Sequence, residues 1–352
     1  ILVLAAERWK AFDLGGLLSH LPGVWGKYMQ YVCNAFTAVS VYLCLVSYIV
    51  VITDSLEPFA ITGLGYPADD PEQRGKLRPP MMVLAAALVL PLCFLDQQRL
   101  SFSSSLGILV NIYMVAFIFV IYSGRPKAFG CCLFGYAREG NITMFSTMMQ
   151  CAIVQMCVLP MYEELDKRSP RRFFVAVVVG FTFLAVLFSA FSSMAYLTFG
   201  PHVQANVIEN FPGGPRGKVA RLGLVVAIAA TYPLIAVSVT APVRHWESYR
   251  HFSGHRAWTL VTCAVVASSA LGAMFFDQLG PLNEMNGALQ VLCFIGLVPG
   301  LTGLFLLGYR SAIWKFGMAL LVAGSVAATA AGLRYTRTDP LLLERVCTWR
   351  FD

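Results

Sequence analysis

The residues of this chain that could do chemistry are mostly uncharged and lie inside apolar surroundings. Gln150 and Gln155 fall near the centre of one apolar stretch, with Pro160 beyond them. A primary amide carries two donors and two acceptors, and in hydrocarbon it is costly without partners, so both side chains must face protein or water. Thr231 and Tyr232 stand just before Pro233, with Ser238 and Thr240 one or two turns later. A threonine hydroxyl beside free carbonyls is a hard-oxygen environment suited to Na+, although threonine also bonds back to its own helix. Asn34, Ser40, Tyr42, Tyr48, Asn111, Asn286 and Gln290 are further polar residues that could line the same cavity. Each also has a plain packing role, because amides and hydroxyls hold membrane helices together.

Proline adds exposed backbone to this set. It lacks an amide hydrogen and pushes away the carbonyl four residues earlier, so Pro160, Pro233 and Pro299 free the carbonyls of Met156, Ala229 and Ile295. Helix breaks are therefore expected at these three positions. Interrupted helices of this kind present backbone dipoles to a substrate or a coupling ion in secondary transporters. The bland alternative is a packing kink whose freed groups are met by a neighbouring Ser or Thr.

Other chemistries find little support. All five histidines, His20, His202, His245, His251 and His255, are expected in loops, which removes histidine-based intramembrane metal sites. Gly213 to Lys218 has the look of a phosphate loop, but Pro212 holds the first glycine position and Val219 follows the lysine. No acidic pair lies deep in an apolar stretch: Asp54 and Asp96 fall at ends, and Glu163, Glu164 and Asp166 follow Pro160. An enzyme is not expected, nor any cofactor beyond a coupling ion. Seven of the ten cysteines sit in apolar runs as small hydrophobes, and only Cys131, Cys132 and Cys347 lie where pairing is plausible.

The elements that must position these residues are membrane helices. With 57% hydrophobic and 13% charged residues among 352, the chain is far from a soluble composition. Mean hydropathy is +0.67. A net charge of +7, scattered over loops, does not make a nucleic-acid stripe. Nine segments read as spans: 31–53, 81–95, 102–122, 142–162, 173–199, 222–243, 257–276, 287–309 and 316–333. The expected architecture is all-α and polytopic, one bundle over 1–335 with a polar tail over 336–352. Ile1 to Ala6 lacks the flanks of a signal peptide and reads as the end of a span whose start is missing. The longer loops are 57–79, 123–141 and 200–218, the second ending at the sequon Asn141-Ile142-Thr143, too close to a span for glycosylation. The 26 Lys and Arg divide evenly between the two faces, so charge bias does not orient the chain.

Several patches resemble the amino acid and auxin permease family. They are Tyr48 to Leu56, Val158-Leu159-Pro160-Met161-Tyr162-Glu163-Glu164-Leu165 with Arg168-Ser169, Ala195 to Gly200, Arg221 to Pro233, and Pro242-Val243-Arg244. The pattern covers most of 28–309 and is most similar to the sodium-coupled neutral amino-acid transporters. The resemblance implies a LeuT-like bundle of two inverted five-helix repeats, truncated at its N-terminus so that family helices 3 to 11 are present. It implies that 7–27 and 166–172 are cytoplasmic and that 57–79, 123–141 and the C-terminus face outside or an organelle lumen. It makes 142–162 the broken sixth helix, with Cys151, Ala152, Ile153, Val154 and Gln155 unwound over the substrate. Where relatives carry an aromatic and a Cys-His pair, this chain has Ala152, Val154 and Gln155. Thr231 falls on the position that resembles the family's sodium-ligand threonine, with the Ile228 carbonyl as co-ligand.

The function so implied is transport of a small neutral amino acid across a plasma, lysosomal or vacuolar membrane, coupled to Na+ or H+. Asn34, Ser40, Asn286 and Gln290 would share the substrate site with the 151–155 stretch, and the partners would be the amino acid and the lipid bilayer. A non-transporting sensor using the same pocket is the alternative, and net flux into liposomes separates the two.

Overall fold

A computed structural model describes residues 1–64, 71–95, 97–124, 128–130, 138–152, 155–204, 206–244, 254–276, 279–308, 311–335 and 349–351. The helices are α1 (Leu2–Trp9), α2 (Leu14–Ser19), α3 (Trp25–Leu64), α4 (Pro71–Val89), α5 (Gln97–Gly124), α6 (Arg138–Ala152) and α7 (Gln155–Glu163). They continue with α8 (Pro170–Phe199), α9 (Pro215–Arg244), α10 (Gly254–Ala273), α11 (Leu279–Gln290), α12 (Val298–Leu301) and α13 (Ala312–Tyr335). Two π-helical segments flank α12: Val291–Leu297 joins it to α11, and Thr302–Leu306 follows it. One departure from an all-α chain is a small antiparallel ribbon, Ala128–Gly130 against Trp349–Phe351, with Ala128 opposite Phe351. Those last residues belong to the expected polar tail, and 336–348 lie outside the described residues.

Among the described residues, eight helical stretches are long and apolar enough to cross a bilayer: Trp25–Gly63, Gly75–Phe94, Ser105–Gly124, Met144–Glu163, Pro170–Phe199, Pro215–Val237, Leu279–Leu306 and Ala312–Arg334. The ninth expected segment, 257–276, is occupied by α10, but its apolar part Trp258–Ala273 is shorter. Helix α3 runs well past both ends of the expected 31–53. Trp25, Tyr28 and Tyr31 are exposed at its start, as interfacial aromatics are. At its other end Pro58 deprives the Asp54 carbonyl of its helical donor, and the Arg221 Nη1 donates to that oxygen at 3.4 Å instead. The helix therefore survives its proline, and Asp54 lies within it rather than at its end.

The chain divides into two compact units, the first built from 1–40, 134–186 and 283–346, the second from 41–133, 187–282 and 347–352. In the first, Leu14, Leu17, Leu18, Leu159, Phe294 and Val298 form a buried core under α1 and α2. Asp13 caps α2 by accepting from the Gly16 amide, and this fixes the turn between them. The α11–α12 stretch lies tightly on α13, because a Cβ on Gly296, Gly300 or Gly303 would collide with Ser325, Val322 or Met318. In the second unit α5 and α9 pack through Val110, Ile118 and Ala220, with Phe117 edge-on to Phe211 at 4.9 Å. Gly272 of α10 admits the Tyr42 ring, whose hydroxyl donates to the Ser268 carbonyl at 2.8 Å.

The seven cysteines expected to be small hydrophobes are free thiols, and Cys131, Cys132 and Cys347 lie outside the described residues. Cys151 is exposed rather than packed. His20 caps α2, His202 sits in a short 3-10 turn, and His255 lies in the first turn of α10 instead of a loop. His245 and His251 lie outside the described residues.

Candidate functional site

Within the first unit α11 carries three amides, Asn283, Asn286 and Gln290, at i, i+3 and i+7, the spacing of one helix face. Two other helices meet that face. The Ser40 hydroxyl of α3 donates to Asn286 Oδ1 at 3.0 Å and accepts from Gln290 Nε2 at 2.6 Å, while Asn286 Nδ2 donates to the Ser40 carbonyl at 3.3 Å. From α6, Gln150 Nε2 donates to Asn283 Oδ1 at 3.1 Å. Asn286 is wholly buried, and Ser40 and Gln290 nearly so. Gln150 Oε1 and Gln290 Oε1 are buried acceptors without a hydrogen-bond donor. This column of amides is therefore well ordered and still has lone pairs to offer.

Close backbone approach makes the column possible. A Cβ on Gly287 would strike the Ser146 carbonyl of α6, and one on Gly332 of α13 would strike the Ser146 side chain. With glycine at both crossings, α6 lies near enough for Gln150 to reach Asn283. Across the same junction the Thr329 hydroxyl donates to the Ala288 carbonyl at 2.7 Å.

Of the residues expected to bind substrate, Ser40, Asn286 and Gln290 come into direct contact. Asn34 does not join them: it is exposed on α3 and lies over Gly15. Cys151 and Ala152 are the last residues of α6 and Gln155 the first of α7, so these three are helical rather than unwound, and Ile153 and Val154 lie outside the described residues. Asn283, which the sequence reading passed over, could have been found from its spacing with Asn286 and Gln290.

The expected helix breaks are milder than a break. Helices α7 and α9 run through Pro160 and Pro233 without ending, since one missing amide kinks a helix that packing holds together. Pro299 is different: it lies between the two π-helical segments, where the ladder is loosened and the Gly303 carbonyl is met by Trp314 Nε1 at 2.9 Å. In the second unit the Thr231 hydroxyl donates to the Ala227 carbonyl at 2.8 Å, the back-bonding alternative, with half-buried Ile228 on the next turn down. Its oxygen lone pairs are not consumed by that bond. Tyr232 beside it is buried, with its hydroxyl 2.7 Å from Ser269 Oγ. Among the described residues no group of three or more His, Cys, Asp or Glu could hold a metal ion.

Two charged clusters were not foreseen. In the first unit Glu7 Oε1 accepts from the Tyr162 hydroxyl at 2.7 Å and pairs with Arg168 Nε at 3.1 Å, while its Oε2 pairs with Lys10 at 2.9 Å. The Arg168 guanidinium also lies 4.5 Å over the Phe12 ring. The Lys10 hydrogen bond, then that from Tyr162, holds the Glu7 carboxyl below the usual carboxylate range. Next to Glu7, Arg8 Nη1 donates to the Leu307 carbonyl at 2.7 Å, where Gly308, at a φ of 71°, ends the helical stretch in the left-handed region. In the second unit Asp54 Oδ2 accepts from Asn206 Nδ2 at 3.1 Å and Oδ1 pairs with Arg78 at 3.2 Å. Arg221 Nη2 reaches the Phe211 carbonyl at 3.4 Å.

These apolar helices and their buried polar contacts define a multi-pass integral membrane protein. The chain belongs to the transmembrane amino acid transporter protein family, whose profile matches residues 15–333. It is similar to the amino acid transporter AVT3C of Arabidopsis thaliana, with 25% identity over 200 residues, 54% of this chain and 44% of that protein. It is also similar to the vesicular inhibitory amino acid transporter of Homo sapiens, 26% identical over 272 residues, 70% of this chain and 50% of the relative. The putative sodium-coupled neutral amino acid transporter 10 of Xenopus laevis is 21% identical over 290 residues, 75% and 27% of the two chains. The chain thus spans about half the length of these relatives, or less. The family and these relatives are transporters, not enzymes.

Proposed function

We propose that this chain performs secondary active transport of small neutral amino acids, driven by a Na+ or H+ gradient, through alternating access within a LeuT-like inverted-repeat bundle. The observation that carries the reading is the buried amide column in a chain of this family, with acceptor oxygens on Gln150 and Gln290 that protein leaves unused. An ammonium group needs such oxygens. A carboxylate suits the start of α7 at Gln155, because a helix N-terminus carries positive dipole charge. Cys151, Ala152, Ile153 and Val154 precede it and would bound the side-chain pocket. In the sodium-coupled form Thr231 Oγ1 and the Ile228 carbonyl would bind the ion, aided by the carbonyl that Pro233 frees at Ala229. The relatives' names, a sodium-coupled neutral transporter and a vesicular inhibitory amino acid transporter, are compatible with this substrate class.

The test is uptake of labelled glycine, alanine and glutamine by proteoliposomes of the full-length protein, under an imposed Na+ gradient and, separately, a pH gradient. Accumulation driven by one gradient and abolished by its collapse supports the reading. Saturable binding without accumulation under either gradient would instead make the protein a sensor.

A further inference from the structure

We propose that Ser169, in the first unit, is a phosphorylation site for a proline-directed serine/threonine protein kinase, and that Arg172 both recruits the kinase and holds the phosphate. Of the 18 prolines in the chain, Pro170 alone follows a serine or threonine. Basic residues surround that pair, Lys167 and Arg168 before it and Arg171 and Arg172 after it. A kinase that accepts proline directly after the serine must need no amide hydrogen there, since proline has none. Kinases also choose substrates by charge pattern, and proline-directed ones with acidic side chains beyond the proline pocket read a cation three residues past the acceptor. Arg172 stands at that position. Four cations in one short turn are in addition what cytoplasmic loops carry, and the cytoplasm is where ATP and such kinases are found.

The segment is presented at the surface. Residues 164–169 lie between α7, which ends at Glu163, and α8, which starts at Pro170. Lys167, Arg168, Pro170, Arg171 and Arg172 are exposed, and Ser169 is half-buried. The Ser169 hydroxyl accepts from the Arg172 amide at 3.2 Å, and its carbonyl accepts from the Phe173 amide at 3.1 Å. A kinase must undo those two bonds to extend the segment, and the terminal turn of a helix opens at little cost. Among the described residues Arg172 uses Nη1 alone, shared between the carbonyls of Asp166 and Lys167 at 3.3 Å each. Those are long bonds to neutral acceptors, and a phosphate one turn away offers its guanidinium shorter, charge-assisted ones. In the reaction Ser169 Oγ attacks the γ-phosphorus of ATP: the Oγ–P bond forms, the bond to the ADP oxygen breaks, and the hydroxyl proton passes to the kinase's catalytic aspartate. The product places roughly −1.5 to −2 charge beside Arg172. The site is separate from the amide column and does not depend on the chain being a transporter.

The experiment incubates the full-length protein, in nanodiscs that leave both faces open, with ATP and a purified cyclin-dependent kinase, which is proline-directed. Phosphate is read by mass spectrometry on the peptide carrying residue 169. Modification of Ser169 is expected, and its loss in Ser169→Ala. Arg172→Gln is expected to lower kcat/KM for phosphorylation about tenfold, one charge-assisted hydrogen bond's worth, whereas Arg171→Gln leaves it unchanged. Arg172→Lys keeps the charge that the kinase reads but cannot grip phosphate bidentately. Phosphorylation is therefore expected to raise the melting midpoint of the native chain and to raise that of Arg172→Lys by less. A Ser169 that stays unmodified in the folded protein overturns the proposal, and so does a rate that Arg172→Gln leaves as it was. An equal rise in the two midpoints, or none in either, overturns the part given to Arg172 in holding the phosphate. In cells whose plasma membrane alone has been permeabilised, a cysteine placed by Lys167→Cys is expected to react with an impermeant thiol reagent; one that stays unlabelled puts the turn on the side away from ATP and overturns the proposal as well. Uptake can fail while phosphorylation persists, and the reverse, so the two readings fail separately.

Discussion

Ser40 is the smallest member of the amide column and the one on which two others depend, since its hydroxyl donates to Asn286 and accepts from Gln290. Ser40→Ala leaves an amide oxygen and an amide hydrogen facing each other's former partner. In membrane proteins one such interaction is worth roughly 0.6 kcal/mol on average and about 1.7 at most. The loss of two is expected near the top of that range, as a lowered unfolding midpoint of the purified protein; an unchanged midpoint would mean that the hydroxyl is not the bridge. Glu7 gives a prediction in pH. Its carboxyl is held below its ordinary value of 4.5, first by Lys10 and then by Tyr162, so the unfolded chain binds that proton more readily than the folded one. The stability it contributes is whole above about pH 4.5 and fades as the pH falls through the lower folded value. The gap in melting temperature between the native chain and Glu7→Gln is therefore expected to stay level from pH 7 to about 5 and to close in more acid buffer. A gap that does not narrow at all as the pH falls below about 4.5 would show that Glu7 acts by packing rather than charge. At this scale Ser40, Asn286 and Gln290 were legible because an uncharged polar residue stands out in an apolar run. Glu7 was not, because its partners Tyr162 and Arg168 are remote in sequence and nothing local announces them.

At the scale of elements, glycine decides where helices touch. Gly287 lies against the Ser146 carbonyl, a backbone group that cannot move aside, whereas Gly180 of α8 has open space where a Cβ would go. Gly287→Ala is expected to force α6 from α11 and destabilise by about 1–3 kcal/mol, the range for overpacking. Gly180→Ala relieves only backbone entropy in a helix interior and is expected to be neutral or to stabilise by about 0.5–1 kcal/mol. Midpoints in one detergent compare the two, and equal shifts would remove the argument that close approach builds the column. The positions of the helices followed from hydropathy, since each apolar run must satisfy its own backbone. Their ends did not follow. Asp54 looked like the end of a span because charge there usually means water; α3 continues to Leu64 since Arg221 and Arg78 meet the carbonyl and the carboxylate. Prolines misled in the same way, because the groups that compensate for Pro58 lie on other helices.

Across the whole molecule, the number of crossings is fixed by which ends must meet. Helix α10 is the doubtful span: its apolar part, Trp258–Ala273, rises only roughly 24 Å against a core of about 30 Å. Contacts inside the first unit give a prediction for it. Glu7 pairs with Arg168 after α7, and its neighbour Arg8 bonds the Leu307 carbonyl after α12, so residues 7–8, 168 and 307 share one membrane face. Between 168 and 307 the chain passes through α8, α9, α10 and the α11–α12 stretch. If the three long stretches cross and α10 does not, the count is odd and Leu307 ends on the wrong face. The expected outcome is that α10 crosses too, with the bilayer thinning locally or flanking side chains reaching outward to cover the mismatch. Single cysteines at Gly214, before α9, and at exposed Phe275, after α10, are then expected to react with an impermeant thiol reagent from the same side, and one at Lys167 from the opposite side. If Phe275→Cys instead labels together with Lys167→Cys, α10 is a re-entrant element, and the Arg8 to Leu307 contact cannot form in the membrane as it does in this structure.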